Sequence, residues 1–371
     1  MCILTSITVR FEVAPMRIAQ VAPLVESVPP QYYGGTERVV HYLTEELVRA
    51  GHDVTLYASG DSRTSARLRP TCDRALRLGR QDLSDPCAQH MLLTEIVAQE
   101  ASEYDVLHFH IDYLPFTMIR QLKLPAISTL HGRLDIPDLY PLYREFDDMR
   151  LVSISDAQRA PMEWANWEAT VYHGLPEDLF EPRYHPGKHL AFIGRVSPEK
   201  RVDLAIEIAK RAGMKIKIAA KIDPADKAYY ESVRHLFDEP HVEFVGEIGE
   251  DQKGEFLGNA AAMLFPVDWP EPFGLVMIES LACGTPVIAF RRGSVPEIIE
   301  DGVTGFVVDS VEQAAEAAGR IPLIKRSVCR SEFEDRFSAR RMCRDYLRVY
   351  RQVVAESRRR DVSSGDLTLV A

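Results

Sequence analysis

The chain has 371 residues, 46% of them hydrophobic and 27% charged, with a formal net charge of −11. That length predicts about two domains of roughly 150 residues, each able to bury its own core. The charge excludes a generally cationic surface for nucleic acid, and no apolar run approaches the roughly 18 residues of a membrane span. The six cysteines form no CxxC pair and no regular framework, which predicts reduced thiols in a cytoplasmic setting.

In chain order, "MCILTSITVRFEVAP" lacks a basic leader segment and is broken by Arg10 and Glu12, so residues 1–15 read as a loose arm. The first strand is "MRIAQVAP", followed by a loop ending in Gly34 and Gly35. A helix is predicted over "TERVVHYLTEELVRAGH", closed by Gly51, with "DVTLYA" as the next strand. Arg63 to Arg80 brings six arginines against Asp61 and Asp73. That run reads as a solvated loop or as a docking patch for an anionic acceptor or a membrane surface. The apolar runs "DVLHFH", "AISTLH" and "LVSIS" predict further buried strands.

After Tyr184 the pattern restarts. "HLAFIGR" predicts a strand, and "RVDLAIEIAKRAG" a helix with Val202, Ala205, Ile206 and Ala209 on one face. "KIKIAA", "VEFVG", "AAMLFP", "PVIAF" and "GFVVD" follow as strands. Short apolar strands alternating with helices predict parallel sheets covered on both faces, with ligands at the carboxyl ends of the strands. Two such series predict two doubly wound α/β domains joined at "EPRYHPGKH", Glu181 to His189. Cys343, Tyr346, Leu347, Tyr350, Val353 and Val354 then form the apolar stripe of one long amphipathic helix. Residues 357–371 read as a frayed tail.

Several residues carry chemistry. Gly34 and Gly35 before a helix let backbone N–H groups approach an anion, although a plain flexible loop fits equally well. Lys200 and Arg201 stand near a helix start, where cations oppose the helix dipole. An anion bound between them and Arg195 would relieve that conflict, as would pairing with Glu199 or Asp203. His108 and His110 share a strand face with Asp112 close behind, which is either a metal site or a polar strand end. His131, before Gly132 at a strand's carboxyl end, has the position of a site residue. In "WPEPFGLVMIESLACGTPVIA", Glu271 precedes a predicted helix and Glu279 lies inside it.

"GGTERVVHYLTEELVRAGHDVTLYA", "FIGRVSPEKRVDLAIEIAK", "EPFGLVMIESLACGTPVIA" and "GSVPEIIEDGVTGFVV" together resemble the family-4 retaining glycosyltransferases of GT-B fold, over roughly Met16 to Glu356. The resemblance implies two Rossmann-like domains facing a central cleft, residues 16–184 on the acceptor side and 185–336 on the donor side. A helix over 337–356 would cross back to the first domain. It implies Arg195 and Lys200 on a donor diphosphate, Glu271 on donor-sugar hydroxyls and Glu279 on the ribose. Phe273, Gly274 and Leu275 would offer amides to sugar and phosphate, and Val245 to Ile248 would read the nucleobase. Gly34 and Gly35 would lie against the diphosphate and acceptor, and His131 would face the sugar.

The implied reaction is metal-free, cofactor-free retaining transfer of a hexose from a UDP- or GDP-sugar to a hydroxyl acceptor: a glycan, a lipid-linked group or a small molecule. The protein would be cytoplasmic, either free or in peripheral contact with the inner membrane face. A sugar-nucleotide epimerase, a phosphorylase or a non-catalytic nucleotide-sugar binder would share the architecture. Two departures stand out: "YHGLPEDLF" replaces the family's Asn-Gly-Ile/Val-Asp, and Arg201 follows Lys200 where the family commonly has Gly.

Overall fold

A computed structural model describes residues 14–31, 34–79, 85–185 and 187–365. Most of the predicted arm, the loop tyrosines Tyr32 and Tyr33, Arg80, Pro186 of the predicted junction and residues 366–371 lie outside this range. Two parallel sheets organise the chain. The first contains β1 (Arg17–Val21), β2 (Asp53–Ser59), β3 (Arg67–Cys72), β4 (Val106–Phe109), β5 (Ala126–Thr129), β6 (Leu151–Ser153) and β7 (Trp167–Thr170), in the order β3-β2-β1-β4-β5-β6-β7. The second contains β8 (His189–Arg195), β9 (Lys215–Lys221), β10 (Val242–Gly246), β11 (Ala262–Phe265), β12 (Val287–Phe290) and β13 (Gly305–Val308), in the order β10-β9-β8-β11-β12-β13. Their central strands are buried apolar runs, as expected of strands covered by helices on both faces.

β3 was not foreseen. Its run "RLRPTC" lies within the arginine-rich segment, and it holds the sheet edge with half-exposed side chains. Arg69 is paired with Glu100 at 2.7 Å, Arg67 with Glu103 at 3.5 Å and Arg77 with buried Glu26 at 2.6 Å, so much of that charge is neutralised internally.

The helix Val202–Arg211 buries Val202, Ala205, Ile206 and Ala209, the face its 3.6-residue period requires. The last helix, Ala339–Gly365, packs on the first domain's helix Gly35–Arg49 and on β4. Tyr346 and Tyr350 are almost wholly buried there, with Cys343, Leu347 and Val353 beside them. The helix runs nine residues past Glu356, because no proline or glycine interrupts "SRRRDVSS" before Gly365.

The connection between the sheets is pinned by two arginines of the helix Arg326–Phe337 that the sequence did not advertise. Arg330 donates to the carbonyls of Phe180 (3.0 Å), Ala282 (2.8 Å) and Glu177 (2.6 Å). Arg326 reaches the carbonyls of Ala260 (2.8 Å) and Gly258 (2.9 Å). Both side chains are buried, so each satisfies carbonyls that water does not reach. Arg330→Ala should therefore cost about 3–5 kcal/mol of stability, measured as a fall in urea unfolding free energy. A loss below about 1 kcal/mol would show that the linker is held by other contacts.

Candidate active site

The carboxyl ends of the two sheets face each other across a cleft of about 1200 Å³. One wall carries Gly34, Gly35, His131 and His173; the other carries Arg195, Lys200, Ile248, Glu271 and the segment Phe273–Leu275, with Glu279 deeper. The cleft thus brings together the predicted site residues from both halves of the chain, with one exception. Val245 is 40% exposed and does not line it. β10 is an edge strand whose pairing with β9 skips between Phe244 and Gly246, so Val245 is the extra residue of a bulge. Glu247 and Ile248, just beyond the strand, take the lining position.

Glu271 is the hub of the second wall. Its Oε2 pairs with the Lys200 ammonium and accepts a hydrogen bond from the Trp269 indole at 2.8 Å. The same ammonium lies 5.2 Å from the Trp269 ring centroid, within cation–π range. Around Glu271 the chain is fixed by backbone contacts. Gly293, at φ +51°, approaches so closely that a Cβ there would fall 2.3 Å from the Glu271 carbonyl oxygen. Ser294 donates its N–H to that oxygen at 3.0 Å and its hydroxyl to Phe273 O at 2.9 Å. From the other wall, the Ser155 hydroxyl donates to Pro272 O at 2.6 Å.

Gly274 then begins the helix Leu275–Ala282 at φ +79°, with Met277 Cε 2.8 Å from where a Cβ would stand. Only glycine fits both constraints. Met277 N–H closes the first turn on Gly274 O at 2.9 Å, and the Leu275 and Val276 amides ahead of it have no intrahelical acceptor, which leaves an anion-binding end against the cleft. Across the gap, Gly35 lies 3.6 Å from Leu275, measured from its ideal Cβ position.

The other predicted cations and anions have partners too. Glu279, buried within the helix, pairs with Lys253 at 2.6 Å. Arg195 pairs with Asp226 at 3.2 Å, so the acidic run "DPADK" holds the guanidinium. Arg201 does not join a phosphate clamp. It occupies the left-handed region at φ +54° as the helix N-cap, and its guanidinium is tied to Asp203 at 2.9 Å and Asp268 at 3.2 Å. This position favours glycine, which accounts for the family's usual residue. Here the ion pairs offset a strain of roughly 1–2 kcal/mol.

On the first wall, His131 Nε2 meets His110 Nδ1 at 2.9 Å, and its ring stacks on His173 at 5.3 Å between centroids. His173 in turn packs on Phe273 at 4.7 Å, so the residue that departs from the family pattern still joins the two walls. Burial pushes His131 down to about 3, and lowers His108, His110 and His173 well below the ordinary imidazole value. Both ring nitrogens of His108 and of His110 are already hydrogen-bonded, and no metal-holding cluster exists among the described residues. "HFHID" thus forms a hydrogen-bonded polar strand end.

Two facing parallel sheets with a polar cleft at their carboxyl edges define the GT-B class. The family described as Glycosyltransferase Family 4 matches residues 33–178, and the one described as Glycosyl transferases group 1 matches 180–339. The chain belongs to the family-4 glycosyltransferases. A D-inositol 3-phosphate glycosyltransferase of Mycolicibacterium smegmatis is 31% identical over 180 residues, covering 44% of this chain and 40% of that protein. The chain spans between 40% and 62% of the length of four such relatives.

Among solved structures, AviGT4, a glycosyltransferase involved in avilamycin A biosynthesis, superposes with a TM-score of 0.68 at 22% identity, covering 92% of this chain and 98% of that one. HepE of Anabaena in complex with UDP-glucose gives 0.66 at 16%, covering 92% and 99%. At these identities the likeness is one of fold.

The four buried imidazoles set a pH dependence. Their folded pKa values lie below the unfolded value of about 6.5, so the unfolded chain gains protons first as pH falls. Their effect is flat above about pH 6.5. Below it, stability should drop by up to about 1.4 kcal/mol per pH unit for each imidazole. Urea midpoints at pH 7.5 and 5.5 measure this, and equal midpoints would contradict the neutral buried cluster.

Proposed function

We propose that the protein is a retaining glycosyltransferase that moves a hexose from a nucleotide-diphosphate sugar, UDP- or GDP-linked, to a hydroxyl acceptor. The observation that carries this reading is the Lys200–Glu271 pair beside the open end of the helix Leu275–Ala282. One ammonium, one carboxylate and a row of free amides match a sugar diphosphate, which offers hydroxyl donors next to a dianion. The UDP-glucose bound to HepE supports the donor class. In this reading residues 185–336 hold the donor, residues 16–184 with the returning helix form the acceptor side, and the reaction runs in the cytoplasm.

The sugar's C1–O bond to the diphosphate breaks and the acceptor oxygen bonds to C1 with net retention of configuration. The electron pair leaves with the phosphate, and the acceptor's proton passes to that phosphate oxygen. Lys200, Arg195 and the helix-start amides stabilise the departing charge, so the chemistry needs neither a metal nor a protein base. Glu271 orients the sugar through its hydroxyls, and Glu279 accepts from the ribose. Neutral His131 lies against the sugar as a polar wall rather than a proton shuttle.

Calorimetric titration with UDP- and GDP-sugars side by side tests the donor. Lys200→Ala should weaken binding by roughly 10- to 150-fold, the value of one charge-assisted contact of about 1.5–3 kcal/mol. Glu271→Gln should depress turnover, whereas Glu279→Gln should mainly raise the donor KM, because ribose contacts are alike in ground and transition states. Chelation should leave the rate unchanged. Unaltered donor binding in Lys200→Ala, or a strict Mg²⁺ requirement, would overturn the assignment.

A further inference from the structure

A chain of buried hydrogen bonds runs from His131 in the cleft to the last helix. His131 Nε2 meets His110 Nδ1 at 2.9 Å, and His110 Nε2 meets Gln20 Oε1 at 2.9 Å. Gln20 Nε2 donates to the Tyr350 hydroxyl at 2.9 Å, which lies 2.7 Å from His108 Nδ1. His108 Nε2 meets Thr129 Oγ1 at 2.7 Å, and Thr129 meets the Tyr346 hydroxyl at 3.0 Å. β1, β4 and β5 place Gln20, His108 and Thr129 side by side: Gln20 is in register with His108, and the next strand carries Thr129.

Counting hydrogens gives the chain a direction. An amide oxygen has no proton to give, so His110 carries its proton on Nε2. Burial keeps that ring neutral, so its Nδ1 is a lone pair and must receive the proton of His131 Nε2. His131, also neutral, is left with a bare Nδ1, which has no hydrogen-bond partner. On the far side, Tyr350 accepts from Gln20 and therefore donates to His108, whose Nε2–H donates to Thr129. Every bond points away from the cleft. The opposite direction, with the Gln20 amide turned over, would place an N–H on His131 Nδ1 with nothing to accept it, the costlier kind of orphan in a buried site.

We propose that Gln20, His110 and Tyr350 are positioning residues that fix His131 as its Nε2–H tautomer, so that its Nδ1, buried and unpartnered in the ligand-free cleft, is an acceptor for a sugar hydroxyl rather than a second donor. This rests on the reading that His131 faces the transferred sugar. It ties the tautomer of a cleft residue to a tyrosine on the helix that returns from the second domain. Tyr350 is the link because its hydroxyl holds the Gln20 amide in one orientation. Without that hydroxyl the amide can rotate and the chain can reverse.

Long-range 15N–1H correlation spectra of histidine-labelled protein at pH 7.5 read the tautomers with no ligand present. The wild type should show His131 protonated at Nε2. Tyr350→Phe, which keeps the ring, should shift His131 toward the Nδ1–H form. It should slow release of UDP from UDP-glucose, with water as acceptor, by about ten-fold, as for one lost hydrogen bond. Calorimetric affinity for UDP should stay within about two-fold, since UDP lacks the sugar. Gln20→Leu, which removes both the amide acceptor and the amide donor, should behave like Tyr350→Phe.

An Nδ1–H tautomer in the wild type, or His131 resonances unchanged in Tyr350→Phe and Gln20→Leu, would overturn the relay. So would a tautomer shift with no change in UDP-glucose turnover. Absence of UDP-sugar binding in every protein would instead count against the UDP-linked donor and send the turnover assay to GDP-glucose, leaving the tautomer result to decide the relay by itself.

Discussion

In a parallel sheet every strand ends on the same edge, and this molecule is built around two such edges set face to face. Backbone groups at strand ends have no further ladder partners, so polar side chains and ligands collect there. The constraint explains why residues as distant in sequence as Gly35, His131, Arg195 and Glu271 share one cleft. Buried polar groups away from the cleft find partners of their own, among them Arg330 on the Phe180 carbonyl and the chain of imidazoles and hydroxyls beneath the first edge.

Contacts away from the cleft floor hold the two edges at their separation. Tyr42 and Arg38 on the helix Gly35–Arg49 reach Glu250 of the second half, the tyrosine at 2.7 Å. On the opposite flank, Glu297 accepts from the N–H groups of Asp156 and Ala157 at 2.8 and 2.7 Å, and from the Tyr172 hydroxyl at 3.1 Å. A carboxylate from one half thus caps a short helix of the other. Leu175 exchanges backbone hydrogen bonds with Phe337 and Ala339, where the chain begins its return. Beside these polar pairs, Tyr172 and His173 pack their rings on Phe273, so the two halves also meet through aromatic contact.

What the sequence disclosed follows from periodicity and motif. The strands other than β3 and β7, the face of Val202–Arg211 and the stripe ending in Val354 are local patterns, and Glu271 and Glu279 sit inside a recognisable run. What it hid depends on approach in space. Ser155, Gly293 and Ser294 support the Glu271 loop from segments with no shared pattern. Trp269 stood in plain view but gains meaning only because its indole reaches Glu271. Lys253 matters through Glu279, Asp226 through Arg195, and His110 through Gln20, each a pairing across a fold rather than along a chain. Val245 and Arg201 went the other way, since a bulge and a left-handed N-cap are backbone decisions that side-chain identity does not reveal.

On the proposed reading, the internal pairing of Lys200 with Glu271 makes the cleft a coincidence detector. A bare phosphate that captured the lysine would strand the carboxylate without its counter-charge. A neutral sugar that satisfied the carboxylate would leave the ammonium competing for it. Only a molecule that brings an anion and hydroxyl donors on the same frame replaces both halves of the pair at once. Abundant inorganic anions and free sugars are then each poor substitutes for the whole, and discrimination against them is built into the resting site before any specific pocket is considered.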